Sequence, residues 1–463
     1  MRAGRAGCAN FRLHLEYCVS SARRLEGQHE RKLVARPQQA ADPDQQRFNS
    51  RSDTFMIGWL APNKERALFQ LARRGARTLR RVVIITSMLR FIFAIALFAT
   101  GAVGATRHVS PSGPAIDARA WLLVDFHSGQ SLAGHGVNDR VEPASLTKLM
   151  TAYLTFAALG RKTLQPEQVV PVSERAWRAE GSRMFIDPRK PVTVNELIRG
   201  MIVQSGNDAC IALAEAIAGS EEAFAQMMNQ KAREFGMRNT NFTNSTGLPH
   251  PQHYSTAHDL ALLAGAIVRD FPDFYPLYST REFRYNNISQ SNRNRLLWTD
   301  PTVDGMKTGL TENAGYCLIA SARRGERRLI SVVLGARSDA ARAAESQKLL
   351  NYGFQAFDTV RLYEKEQAVA TLQVWKGSAN NVKAGVAREL YLSLPKGRAD
   401  QLKASVESVQ PLLAPIASGQ QVGTMKLLLD GKPFRELPVV ALESVPLAGI
   451  FGRGWDSLRL MFR

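Results

Sequence analysis

Three short groups of residues, Ser145-Leu-Thr-Lys148, Ser205-Gly-Asn207 and Lys307-Thr-Gly309, hold between them the chemistry of acyl transfer. A serine hydroxyl is a weak nucleophile until a base takes its proton. On a helix the residue three positions on lies on the same face, so Lys148 can reach Ser145. An amine in an apolar pocket near other cations loses affinity for its proton through desolvation and like charge, which suits a neutral lysine base. Ser205 would pass a proton to a leaving amine, and Asn207 would align a peptide group. Lys307 and Thr308 offer a cation and a hydroxyl to a terminal carboxylate, while Gly309 permits close approach of a substrate backbone. A tetrahedral intermediate needs two backbone donors, for which the N–H groups of Ser145 and Leu310 are the natural choice. Singly these patterns mean little, since Ser393-Leu-Pro-Lys396 and Ser378-Ala-Asn380 satisfy the first two in reverse order later in the chain. Order and context carry the reading.

The surrounding patterns say what positions these groups. Leu149, Met150, Tyr153 and Phe156 recur at helical spacing after Pro143, which predicts a mostly buried helix with Ser145 in its first turn. From Val194 to Gly236 the pattern is helical with breaks at Ser205-Gly206 and Gly219-Ser220, so the second motif falls at a helix break. The third motif is expected to precede a strand. Ala120–Phe126 with Ser131–His135, and Gly315–Ser321 with Arg328–Leu334, read as two pairs of neighbouring strands. Together these predict one mixed domain over residues 107–359. Short alternating stretches then predict an all-β domain over 360–442. In 445–463, Leu447, Ile450, Phe451, Trp455, Leu458, Met461 and Phe462 fall on one side of a helix and Arg453, Asp456, Arg459 and Arg463 on the other. That is the pattern of an amphipathic helix lying on a membrane surface.

The net charge of +19 is unevenly spread, residues 1–87 carrying 17 Lys or Arg against 7 Asp or Glu. No Arg-rich helix or aromatic-basic ladder follows, and no nucleic-acid partner is expected. Residues 88–105 have a basic front, a short apolar stretch and a small-residue end at Val103-Gly104-Ala105, which reads as a secretory signal peptide. The first 87 residues read as a basic leader, or as lying upstream of a true start such as Met88. Cys8 and Cys18 fall in that leader, and Cys210 and Cys317 sit in apolar patterns that favour unpaired core thiols. The reading assigns no metal ligand and no cofactor.

Beyond the trio, the chain resembles the low-molecular-mass penicillin-binding proteins that act as D-alanyl-D-alanine carboxypeptidases. The resemblance runs through Glu142-Pro-Ala-Ser-Leu-Thr-Lys148, Gln204-Ser-Gly-Asn-Asp-Ala209, Tyr254-Ser-Thr-Ala-His-Asp259, Asn292-Arg-Asn294 and Val303-Asp-Gly-Met-Lys-Thr-Gly309. It implies an α+β domain, an antiparallel sheet flanked by helices, followed by a β-sandwich and a C-terminal amphipathic anchor. It also implies an exported enzyme at the outer face of the inner membrane that trims peptidoglycan stem peptides through an acyl-enzyme on Ser145 and is inhibited by β-lactams. Arg293 and Arg342 match family arginines that receive a substrate carboxylate or support the site.

Other functions could use the same motifs. A β-lactamase of class A needs a deacylating Glu, and no Glu-x-x-Leu-Asn pattern lies between Asn207 and Lys307. A D,D-endopeptidase would share the catalytic set, and a wall-binding scaffold would need no intact one.

Overall fold

The computed structural model describes residues 113–462; the segments read as a leader and a signal peptide lie outside the described residues. Strands Ala120–Asp125 (β1) and Ser131–His135 (β2) form the first antiparallel pair. A 3-10 turn, Ala144–Thr147, runs directly into helix Lys148–Gly160 (α1). Helices Val194–Val203 (α2), Asn207–Ala218 (α3) and Glu221–Glu234 (α4) follow, broken where the sequence pattern breaks. Their starts are chemically marked. Thr193 and Glu196 form a reciprocal capping box, and the Ser220 hydroxyl accepts from the Ala223 N–H ahead of Glu221 and Glu222. Helix Ala257–Asp270 (α5) and a small hairpin, Glu282–Tyr285 (β3) with Ile288–Ser291 (β4), lead into strands Val303–Thr311 (β5), Gly315–Arg324 (β6) and Arg327–Ala336 (β7), and then helix Asp339–Ala356 (α6).

The principal sheet has the order β2-β1-β7-β6-β5, antiparallel throughout. Side chains alternate between its faces. Leu122, Ile319, Ile330 and Val332 join one core with α1, α3 and α5, whereas Trp121, Leu123, Leu318 and Val333 join another with Leu349 and Leu350 of α6. Burial on both faces explains why β1 and β7 read as nearly unbroken apolar runs. Strand β5 is left at the sheet edge, and there it meets the turn that carries Ser145.

Strands Phe357–Tyr363 (β8), Ala368–Trp375 (β9), Asn381–Gly385 (β10), Leu390–Pro395 (β11), Leu402–Ser408 (β12), Leu412–Leu413 (β13), Gln421–Leu429 (β14) and Lys432–Ala441 (β15) make the second domain. A six-stranded sheet, β12-β14-β15-β10-β9-β13, and the β11-β8 pair enclose one core that includes Val374, Val382, Leu392, Leu394, Met425 and Val439. A last helix, Ile450–Leu460 (α7), follows.

Two expectations need correcting. The third motif lies inside β5 rather than ahead of a strand. Two glycines, an aspartate, a lysine and two threonines within nine residues obscure the alternation by which strands are recognised. The C-terminal helix begins at Ile450 rather than at Val445, which is 2% exposed, pairs with Ile416 and fills the β-domain core.

Candidate active site

Ser145 stands on the 3-10 turn, directly after Ala144, whose φ of +47° lies in the left-handed region. Leu146, Leu149 and Met150 are fully buried and fix the turn and α1 in the core. This leaves Lys148 only 1% exposed. Its Nζ lies 2.9 Å from Ser145 Oγ, 2.7 Å from Asn207 Oδ1 and 2.6 Å from the Thr246 carbonyl oxygen. The amide oxygen and the carbonyl can only accept, whereas the serine hydroxyl can also donate. A neutral amine, with two N–H bonds and one lone pair, satisfies all three partners with its lone pair toward Ser145. Burial is the chief reason the amine's pKa falls from 10.5 to about 8, and the charge of Arg293 adds to the effect.

The second motif sits in the break between α2 and α3. Ser205 is 3% exposed with φ +68°, and its Oγ has no hydrogen-bond partner among the described residues. That buried hydroxyl is therefore available to a substrate or to a proton transfer. Asn207 uses its oxygen on Lys148 and one amide hydrogen on the Glu180 carbonyl, 2.6 Å away, leaving one N–H for a substrate. The buried Asp208 carboxylate accepts from the backbone N–H groups of Met184, Phe185 and Ile186, binding the loop over 180–186 to this motif.

The third motif brings its residues to the same place along β5. Lys307 and Thr308 are 3% and 5% exposed, and Leu310 is half exposed. Desolvation first, then the charges of Lys148 and Arg293, push the Lys307 amine well below its ordinary range. Gly309 is closely packed, since a Cβ there would lie 3.1 Å from the Pro143 carbonyl oxygen and 3.3 Å from Ala144 Cβ. The start of the strand is held by Asn294 Nδ2, which donates to the Gly305 carbonyl at 3.0 Å. Arg328 supports it as well, donating two bonds to Asp304 at 2.7 and 2.6 Å.

The two arginines behave differently. Arg293 is solvent-exposed and acts by charge on both site lysines. Arg342 is buried, paired with Asp339, and donates to the Gly309 carbonyl at 3.1 Å and the Cys317 carbonyl at 3.4 Å, so it holds the main chain of the motif. Cys210 and Cys317 are buried, unpaired thiols. The chance match at Ser393 belongs to the domain junction, its hydroxyl 2.7 Å from that of Ser128.

The loop that supplies the Thr246 carbonyl to Lys148 is legible in the sequence as a loop from Asn239 to Tyr254, but not as part of the site. Asn244 Oδ1 accepts from the Thr246 N–H, the Thr246 hydroxyl and the Gly247 N–H at 3.2, 3.0 and 2.7 Å, and Ser245 donates twice to the buried Glu221 carboxylate. Gly247, at φ +83°, could carry no side chain, because its Cβ would fall 1.8 Å from the Ala144 carbonyl oxygen. His253 Nδ1 accepts from the Thr243 N–H at 3.1 Å, which leaves the proton on Nε2 to be donated to Thr147 Oγ1 at 2.8 Å. Burial pushes its pKa down to about 4. The run Thr243-Asn-Ser-Thr-Gly247 was a legible loop signal, but a backbone carbonyl acting as acceptor has no side-chain signature.

Residues 107–338 match the peptidase S11 family, described as D-alanyl-D-alanine carboxypeptidase, and residues 357–447 match the penicillin-binding protein 5 C-terminal domain. The chain is 43% identical over 374 residues to D-alanyl-D-alanine carboxypeptidase DacC of Escherichia coli K12, covering 79% of this chain and 93% of that one. It is 40% identical to DacA of Haemophilus influenzae, covering 82% and 98%. Among solved structures it is similar to penicillin binding protein 5 from Haemophilus influenzae, with a TM-score of 0.71 at 40% identity over 72% of this chain and 99% of that one.

Proposed function

This chain belongs to the peptidase S11 family of D-alanyl-D-alanine carboxypeptidases, serine hydrolases of the penicillin-binding type, and from that premise we propose that Ser145 is its nucleophile and Lys148 the base that activates it. The observation that carries this assignment is the 2.9 Å contact between a buried lysine amine and the serine hydroxyl, with acceptors on the amine's other two sides.

Lys148 takes the proton of Ser145 as Oγ attacks the carbonyl of the penultimate D-alanine of a stem peptide. The oxyanion is met by the N–H groups of Ser145 and Leu310. The proton passes through the Ser205 hydroxyl to the amine of the terminal D-alanine, which leaves, and water then cleaves the ester and regenerates Ser145. Asn207 holds Lys148 and presents its remaining N–H to the substrate. Lys307, Thr308 and Arg293 receive the terminal carboxylate, whose negative charge favours the protonated form of Lys307 against its burial. Gly309 leaves room for the substrate backbone, and Arg342 keeps its carbonyl in place. A β-lactam enters the same path by offering its strained amide to Ser145. Incubation of the purified protein with a synthetic peptide ending in D-Ala-D-Ala should release D-alanine, and Ser145→Ala should release none; equal release by the variant would remove Ser145 from its role.

We also infer export to the periplasm and attachment to the outer face of the inner membrane. Export is supported by the signal-peptide pattern of 88–105. Attachment is supported by α7, where Ile450, Phe451 and Trp455 are 77%, 95% and 62% exposed on a helix that also carries Arg453 and Arg459. Among the described residues no helix is long and apolar enough to cross a membrane. The helix is tied to the β domain where Asp456 accepts from the Lys376 N–H at 2.6 Å.

A further inference from the structure

Glu142 lies three residues before the nucleophile and contributes nothing to the steps above. Its carboxylate nevertheless joins the two halves of the site. One oxygen accepts from Thr311 Oγ1 at 2.8 Å and the other from Asn313 Nδ2 at 3.0 Å, both on the hairpin end that follows Leu310. Thr311 is itself fixed, its hydroxyl accepting from the Ala314 N–H at 3.0 Å. The residues between Glu142 and Ser145 press on the same strand, since Pro143 and Ala144 are the groups that a Cβ on Gly309 would strike. The intervening Ala144 is held at φ +47°, a conformation that costs energy and persists only where its neighbours enforce it.

We propose that Glu142 is a positioning residue that sets the spacing between the Ser145 N–H and the Leu310 N–H by clamping the nucleophile turn to the end of β5. This rests on the assignment of those two groups as the oxyanion donors. Such donors act through placement, and small displacements are costly because the charge they meet develops only in the transition state. The clamp needs hydrogen-bond geometry rather than charge. A glutamine can keep both contacts, its oxygen accepting from Asn313 and its N–H donating to the Thr311 hydroxyl, which reverses its role.

The test is the rate of acylation by a fluorescent penicillin, resolved into a binding constant and a chemical rate, together with kcat and KM for a D-Ala-D-Ala peptide. Glu142→Ala should slow the chemical step by about 10- to 100-fold with binding and KM little changed, and Glu142→Gln should restore most of the loss. Thr311→Val combined with Asn313→Ala, which breaks the clamp from the other side, should reproduce the Ala phenotype, and keeps the test open if Glu142→Ala folds poorly. Unchanged chemistry in both clamp-breaking variants, or a loss confined to KM, overturns the proposal. A glutamine variant as slow as alanine overturns it too, because the carboxylate would then act by its charge. Failure of the wild-type protein to acylate at all would count against the donor assignment and the site reading, a separate outcome.

Discussion

The carbonyl oxygen of Thr246 lies 2.6 Å from Nζ of Lys148, on a loop 98 residues further along the chain. With Asn207 Oδ1 it occupies two of the three directions around the amine, and the third leads to Ser145. Removal of this amine should therefore remove the base while leaving the nucleophile in place. Lys148→Ala is expected to slow acylation of Ser145 by about 100-fold or more. Lys307→Ala, by contrast, should chiefly erase the preference for a peptide ending in a carboxylate over the same peptide ending in an amide. Steady-state kinetics on the acid and amide pair separates the two, and an equal loss on both peptides for Lys307→Ala would contradict its role.

The same geometry fixes a pH dependence. Lys148 must be neutral to accept the proton, and its pKa lies near 8, so kcat/KM should climb with pH and level off above about 8. A profile that is flat from about pH 6 to 9 would mean that the amine is not the base.

His253 gives a stability counterpart. Its pKa is about 4 in the folded protein against 6.5 for the unperturbed side chain, so between these values the unfolded chain binds the proton and the folded one does not. Stability is then fully present above about pH 6.5 and is lost as pH falls toward 4, by about 3 kcal/mol in all. Denaturant unfolding across this window should show the loss, and His253→Gln should flatten it.

Arg342 reaches the third motif only through the Gly309 and Cys317 carbonyls. Arg342→Met should destabilise the fold by about 2 kcal/mol and slow acylation, with the unfolding midpoint and the acylation rate falling together. A fall in affinity for the carboxylate without loss of stability would make Arg342 a substrate ligand instead.

Much of the candidate site's geometry was legible because its side chains come in a fixed order. Ser145, Lys148, Ser205, Asn207, Lys307 and Thr308 come together from a turn, a helix break and an edge strand. The helices around α2, α3 and α4 were legible as well, because their apolar spacing and caps agree with their tertiary burial. What was not legible belongs to the backbone or to packing. Thr246 works through a carbonyl, and Glu142 through partners 169 and 171 residues away. Val445 illustrates a different limit, since an apolar residue at helical spacing serves a β-bridge equally well, and periodicity alone cannot choose.

The strand-like pairing of this segment decides where the chain can be cut. Val445 and Leu447 pair with Ile416 and Gly377, and the Ala448 N–H donates to the Lys376 carbonyl, so truncation must come after Ala448 to spare the β domain. Loss of 449–463 should release the enzyme from anionic lipid vesicles without changing turnover of a small peptide. Continued sedimentation with the vesicles would show that α7 is not the anchor.

If acyl transfer runs through Ser145, a β-lactam must leave its adduct on that residue. Trypsin should release Val141–Lys148 as a single peptide, and after treatment with benzylpenicillin the mass of that peptide should rise by one intact penicilloyl group. An adduct on the peptide carrying Ser205 or Ser393, with Val141–Lys148 unmodified, would contradict the account.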